Sequence, residues 1–220
     1  MAATTDYATA RTNMVEGQIR PNRVVDGPVV EAFRAVPRER FVPAALKGVA
    51  YVDEDIQVGA GRYLMEPMVL SRLLQEARIG AGDTVLDVGC ATGYSAAILA
   101  RLAGTVIALE QDPALAATAG RTLEEVGAGN VVVVTGVLAD GHAGRAPYDA
   151  IVFQGAVATV PDSLLRQLAE GGRLVAVVLS GRVGKARLYE NVGGVVSGRT
   201  LFDAAVPPLP GFAPAPRFEF

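Results

Sequence analysis

Two patterns of apolar spacing divide the chain. From 24 to 36, Val25, Val29, Val30, Phe33 and Val36 recur at helical spacing until Pro37 stops them. A second amphipathic helix is expected over 66–77, burying Met68, Leu70, Leu73 and Leu74. Between these, residues 50–62 are mixed. Asp53, Glu54 and Asp55 stand together there with no histidine or further acidic partner nearby, so they read as a solvated loop rather than a metal site. From Asp83 the pattern changes. Short apolar runs over 84–88, 105–109, 130–135, 149–153 and 173–179 predict strands, and helical patterns over 94–102, 113–126 and 161–168 lie among them. The runs 185–191 and 195–202 flank Gly193-Gly194 and predict an antiparallel hairpin. Strands alternating with helices imply a mostly parallel sheet covered on both faces.

One domain over 1–220 is expected, with an N-terminal helical extension (1–80), an α/β core (81–205) and a tail (206–220). The tail carries Pro207, Pro208, Pro210, Pro214 and Pro216, and should be extended, either packed on the sheet edge or mobile. With 220 residues, 50% of them hydrophobic, the chain can bury a sizeable core. A net charge of −3 argues against binding nucleic acid by phosphate neutralisation. Cys90 is the single cysteine, so no internal disulfide forms. Met1–Asn22 has no unbroken apolar run, and no stretch approaches the ~18 apolar residues of a membrane span. A cytoplasmic protein without membrane, nucleic-acid or metal partners is expected; the oligomeric state is not legible.

The most informative segment is Val85-Leu86-Asp87-Val88-Gly89-Cys90-Ala91-Thr92-Gly93-Tyr94-Ser95, a buried strand passing through small residues into a helix. Open α/β sheets bind nucleotides at this place. The dinucleotide pattern G-x-G-x-x-G fails, because Ala91 and Tyr94 stand where glycines are needed. An acidic residue two before the first glycine, and a glycine four after it, fit S-adenosylmethionine: Asp87 can face its cationic amino and sulfonium end. Glu110, at the end of the second strand and 17 residues beyond Gly93, lies where a carboxylate would grip ribose hydroxyls. Cys90 reads as a small packing residue of this loop, and His142, the only histidine, as a loop residue without a nucleophilic partner.

Three groups of residues then carry a resemblance. Met14-Val15-Glu16-Gly17-Gln18-Ile19, Val36-Pro37-Arg38-Glu39-Arg40-Phe41-Val42-Pro43 and Ala50-Tyr51-Val52-Asp53 resemble the N-terminal region of protein-L-isoaspartate O-methyltransferases. Residues 85–94, Ala146-Pro147-Tyr148-Asp149-Ala150-Ile151 and Gln167-Leu168 through Gly171-Gly172-Arg173-Leu174 extend it. The resemblance implies a Rossmann-like class I methyltransferase fold with a C-terminal antiparallel hairpin and a substrate-side N-terminal extension. It implies S-adenosylmethionine as cofactor, S-adenosylhomocysteine as product, and methylation of isoaspartyl carboxylates in damaged proteins. Asp87, Gly89, Cys90, Ala91 and Gly93 would lie at the methionine end of the cofactor, Glu110 at the ribose, and Gln111, Val137 and Leu138 around the adenine.

The chain departs from the family pattern in three places. Where the family has Gly-Gln-Thr-Ile-Ser, this chain has Gly61-Arg62-Tyr63-Leu64-Met65, and Met68 stands in place of a histidine. Val137 takes the place of the acidic residue in Gly-Asp-Gly, with Asp140 a few residues on. Phe153-Gln154-Gly155-Ala156-Val157 replaces a run of small residues. Tyr63, Met65 and Gln154 are thus candidates to line the pocket, with no general base assigned. Three readings stay open: the family's repair methyltransferase, a methyltransferase for another carboxylate or small-molecule acceptor, and a non-catalytic cofactor- or protein-binding module.

Overall fold

A computed structural model describes residues 6–180 and 183–212. Helix α1 (Tyr7–Met14) starts where Asp6 accepts hydrogen bonds from the amides of Ala8 and Thr9, and runs on into a wider turn over Val15–Ile19. Helix α2 (Gly27–Ala35) starts later than its apolar pattern, because Asp26 caps the amide of Val29 and proline occupies the first turn. Two short turns of helix, Arg38–Arg40 and Ala44–Val49, follow. Arg38 is wholly buried there, donating to the carbonyls of Ala50 (2.8 Å) and Met65 (3.0 Å).

The segment read as a solvated loop instead contains a hairpin, β1 (Ile56–Gly59) with β2 (Arg62–Leu64). Ile56 pairs with Leu64 and both are buried, which four- and three-residue strands flanked by charges do not announce as a period of two. Helix α3 (Pro67–Ala77) buries Leu70, Leu73 and Leu74 as expected, but its buried face runs through Val69 and Ala77, and Met68 is only partly buried.

The core alternates β3 (Thr84–Val88), α4 (Tyr94–Leu99), β4 (Thr105–Glu110), α5 (Pro113–Glu125), β5 (Val131–Thr135), β6 (Tyr148–Val157), α6 (Asp162–Leu165), β7 (Leu168–Ser180), β8 (Val183–Val192) and β9 (Val195–Asp203). These strands form one sheet in the order β5-β4-β3-β6-β7-β8-β9. The pairs from β5 to β7 are parallel, and β8 and β9 add the antiparallel hairpin. Helix α6 is shorter than its pattern, because Leu168 already opens β7 by pairing with Tyr148.

Alternate side chains of each strand serve opposite faces. Val85, Val106 and Val152 pack toward the N-terminal extension, α3 and α4, while Leu86, Val88, Ile107 and Phe153 pack toward α6 and the tail. Asp87 is therefore on the face of Val85. The chain reverses its strand order beside β3, so β3, β4 and β6 open their carboxyl ends on one crevice. The described part of the tail crosses the end of β6, an interior strand, and not the sheet edge: Ala156 bridges Pro208 in parallel. Pro214 and Pro216 lie outside the described residues. Among the described residues, no helix is long and apolar enough to cross a membrane.

Candidate active site

Asp87 and Val88 pair with Ala108 and Leu109, so the last turn of β3 and the end of β4 lie side by side. Between β3 and α4 the backbone passes through the left-handed region at Gly89 (φ 83°), Ala91 (φ 49°) and Gly93 (φ 96°). Gly93 suits that conformation and leaves space that Ala119 and Leu123 would deny a Cβ. Ala91 has no such freedom and is held by its amide, which donates to Glu110 Oε2 at 2.7 Å. Thr92 donates to the carbonyl of Phe41 (2.6 Å), and Tyr94 packs edge-on against Phe33 and Phe41 beneath the Arg38 guanidinium. The N-terminal extension is thereby locked onto the loop.

Glu110 is buried and fully engaged. Its Oε2 accepts from Ala91 and from Arg62 Nη2 (2.7 Å), and its Oε1 from the amides of Gln111 (2.8 Å) and Asp112 (3.1 Å). Asp112 in turn caps α5. Asp87 is equally buried, but its partners are neutral: Ser95 Oγ donates to Oδ2 (2.6 Å) and Gln154 Nε2 to Oδ1 (2.7 Å). Desolvation pushes the Asp87 carboxyl up to about 7, against the pull of those two hydrogen bonds. Gln154 thus spends its amide on Asp87. Asp55, expected in solvent, is partly buried beside the site; its carboxylate accepts from the amide of Glu66 (2.9 Å), and burial raises it to about 6.

The seat has two halves. The outer half is a cavity of about 350 Å³ lined by Ala60, Glu110, Gln111, Pro113, Leu138 and Pro210. Leu138 and Gln111 are thus brought to it, whereas Val137 is 54% exposed and absent from its walls, as is Asp140. The inner half is filled. A Cβ placed on Gly89 would stand 2.7 Å from Arg62 Nη2 and 2.9 Å from Leu209 Cδ1. Two residual spaces of about 10 Å³ each remain, one by Tyr63, Met65, Gln154 and Leu209, the other by Tyr63, Met65, Cys90 and Tyr94. Each is the size of one water. The carboxylates suit S-adenosylmethionine in kind, but in this arrangement its methionine arm does not fit beside Gly89.

Residue chemistry elsewhere is structural. Cys90 is buried in the core, and burial raises its thiol. The His142 amide donates to Gln167 and its carbonyl accepts from Tyr148, fixing the loop after β5. The described residues hold no group of three or more metal-ligating side chains. Arg62, Ser95 and Leu209 are the site residues that spacing did not reveal. The signal for Arg62 was a cation set between apolar residues, opposite two carboxylates with no other assigned charge.

A sequence model of the family described as "Protein-L-isoaspartate(D-aspartate) O-methyltransferase (PCMT)" matches residues 9–205. The chain is 37% identical over 221 residues to a protein-L-isoaspartate O-methyltransferase of Koribacter versatilis, covering 98% of this chain and all of that one. It is 42% identical over 176 residues to that of Methylorubrum extorquens, covering 79% and 75%. Among solved structures, a protein-L-isoaspartate O-methyltransferase superposes with a TM-score of 0.81 at 24% identity, over 91% of this chain and 66% of that one. A Plasmodium falciparum protein described under the same name, solved in complex with S-adenosyl-L-homocysteine, gives 0.78 at 17% identity, over 94% and 99%. The two structures share the class I methyltransferase fold, and the sequence matches go further: the chain belongs to the protein-L-isoaspartate O-methyltransferase family.

Proposed function

We propose that the chain is an S-adenosylmethionine-dependent protein carboxyl O-methyltransferase acting on isoaspartyl residues of damaged proteins. The observation that carries this reading is Asp87, a carboxylate taken wholly out of water with only neutral hydrogen-bond partners. A buried carboxylate without an ion-paired partner costs stability, and a cationic ligand is a partner that offsets it. Asp87, Gly89, Ala91 and Gly93 are assigned to the methionine end, with Cys90 packing beneath them. Glu110 takes the ribose side, and Gln111 and Leu138 the adenine side. Val137, on the surface before Leu138, keeps no contact role in this assignment.

Tyr63, Met65 and Gln154 line the acceptor side. A carboxylate acceptor is itself nucleophilic, so these residues need to orient it and exclude water rather than remove a proton. Met65 cannot supply the hydrogen bond of the family's serine, and it is buried. That favours, as a second reading, a carboxylate acceptor with a larger apolar neighbour. The test is label transfer from methyl-tritiated S-adenosylmethionine to an isoaspartyl peptide, its aspartyl isomer and a panel of apolar carboxylic acids. Base-labile label on the isoaspartyl peptide alone is the expected result. Label on the free acids alone shifts the acceptor, and label on none removes the enzymatic reading.

A further inference from the structure

We propose that Arg62 and Leu209 are an internal plug in the cofactor seat, which a cofactor must displace to reach Gly89. This rests on the reading that the seat is for S-adenosylmethionine, and it adds that the chain's own residues set the affinity. Arg62 stands where the family pattern has glutamine. It reaches from β2 across the glycine turn, its Nη2 donating to the Gly89 carbonyl (2.6 Å) and to Glu110 Oε2 (2.7 Å). The guanidinium therefore spans the gap between the two sequence-assigned ligand contacts. Its side chain is 5% exposed, against 1% for Glu110, so this is an ion pair inside the fold and not a surface contact.

Leu209 closes the same space from the opposite side and is held by backbone. Ala156 N–H donates to the Pro207 carbonyl (2.9 Å), Leu209 N–H to the Ala156 carbonyl (2.7 Å), and Ala158 N–H to the Phe212 carbonyl (3.1 Å). The Phe212 ring meets Phe153 edge-on at 5.5 Å. Gly155 permits this approach: a Cβ there would stand 3.2 Å from Leu209 Cβ and from the Pro207 carbonyl. The tail thus lies over β6 as a short added segment with its leucine in the seat.

Two features make the plug displaceable. Arg62 Nε is buried without an acceptor, so the guanidinium is incompletely satisfied where it lies. Glu110 keeps three backbone donors when Arg62 leaves, so the carboxylate stays in place for a ligand. The outer cavity gives an incoming adenosine group room to dock against Arg62 before the inner half opens.

The test is calorimetric titration of the full chain with S-adenosylhomocysteine, for wild type, Arg62→Gln and Leu209→Ala, each first shown to melt cooperatively. Labelling of Cys90, the only thiol and a neighbour of Gly89, by a thiol reagent reports opening without any ligand. The plug requires Arg62→Gln to bind at least tenfold tighter than wild type, Leu209→Ala to shift the same way, and Cys90 to label at least tenfold faster in both. Should Arg62→Gln fail to fold, Leu209→Ala carries the test alone. Micromolar binding that is equal in all three proteins, with unchanged labelling, overturns the plug and leaves the methyltransferase reading intact. Binding by none of them overturns both.

Discussion

Replacing Glu110 with alanine is expected to lower the unfolding free energy by about 3–5 kcal/mol, the usual cost of leaving a buried charge without its partner. Four donors lose their acceptor at once: Arg62 Nη2 and the amides of Ala91, Gln111 and Asp112. Three consequences follow along the chain. The buried Arg62 guanidinium loses its counter-charge and keeps only the Gly89 carbonyl, the left-handed turn at Ala91 loses what holds it, and the residue capping α5 loses its own anchor. Glu110→Gln keeps one acceptor oxygen and should lose roughly half as much. Urea denaturation of the three proteins checks this. A loss below about 1 kcal/mol for the alanine variant would mean that water replaces the carboxylate freely, and that the site is not the dry, closed arrangement described.

Asp87→Asn is expected to do the opposite: to stabilise the fold at pH 8, and to do so less as the pH falls. The carboxyl sits at about 7 in the folded protein, above its ordinary 3.8. Below about pH 4 both states are protonated and the charge costs nothing. As the pH rises toward 7 the unfolded chain gives up this proton first, so stability is lost across that window and stays lost above it. Three units correspond to an upper bound of about 4 kcal/mol, and imperfect hydrogen bonding by the new amide offsets part. A gain of about 1–3 kcal/mol at pH 8, vanishing near pH 4, is the expected outcome of denaturant titrations across that range. An equal effect at both ends would mean that the charge is already compensated inside the fold, and Asp87 would no longer argue for a cationic ligand. A residue that costs stability in the free protein is what a binding site retains for its ligand.

Strands β3, β4 and β5 were legible because they are short apolar runs, and Asp112 before α5 and Gly93 before α4 mark helix starts that spacing alone leaves loose; β6 and β7 run past their apolar runs because they pair on through Ala156 and from Leu168. The β1–β2 hairpin was not, since its few residues sit beside Asp53, Glu54 and Asp55, and their charge outweighed Ile56 and Leu64. In the site, Asp87 and Glu110 could be found because motif spacing fixes where strand ends and turns fall. Arg62 and Leu209 reach the same place from 48 positions before Glu110 and from the tail. No local periodicity records a contact of that range. Arg62 shows in the sequence as a departure from the family pattern and as a lone cation opposite two carboxylates; its pairing with Glu110 follows only from the hairpin that carries it over Gly89.

We have proposed the space between Gly89 and Glu110 as the cofactor's seat, filled by Arg62 and Leu209 until the cofactor displaces them. The most direct measurement is a crystal structure of the full chain grown with millimolar S-adenosylhomocysteine. The expected result is the ribose on Glu110, the methionine carboxylate and amine beside Gly89 and Asp87, and the Arg62 guanidinium moved off Glu110. Ligand bound elsewhere on the fold, or a structure in which Arg62 still bridges Gly89 and Glu110 with ligand present, would contradict it.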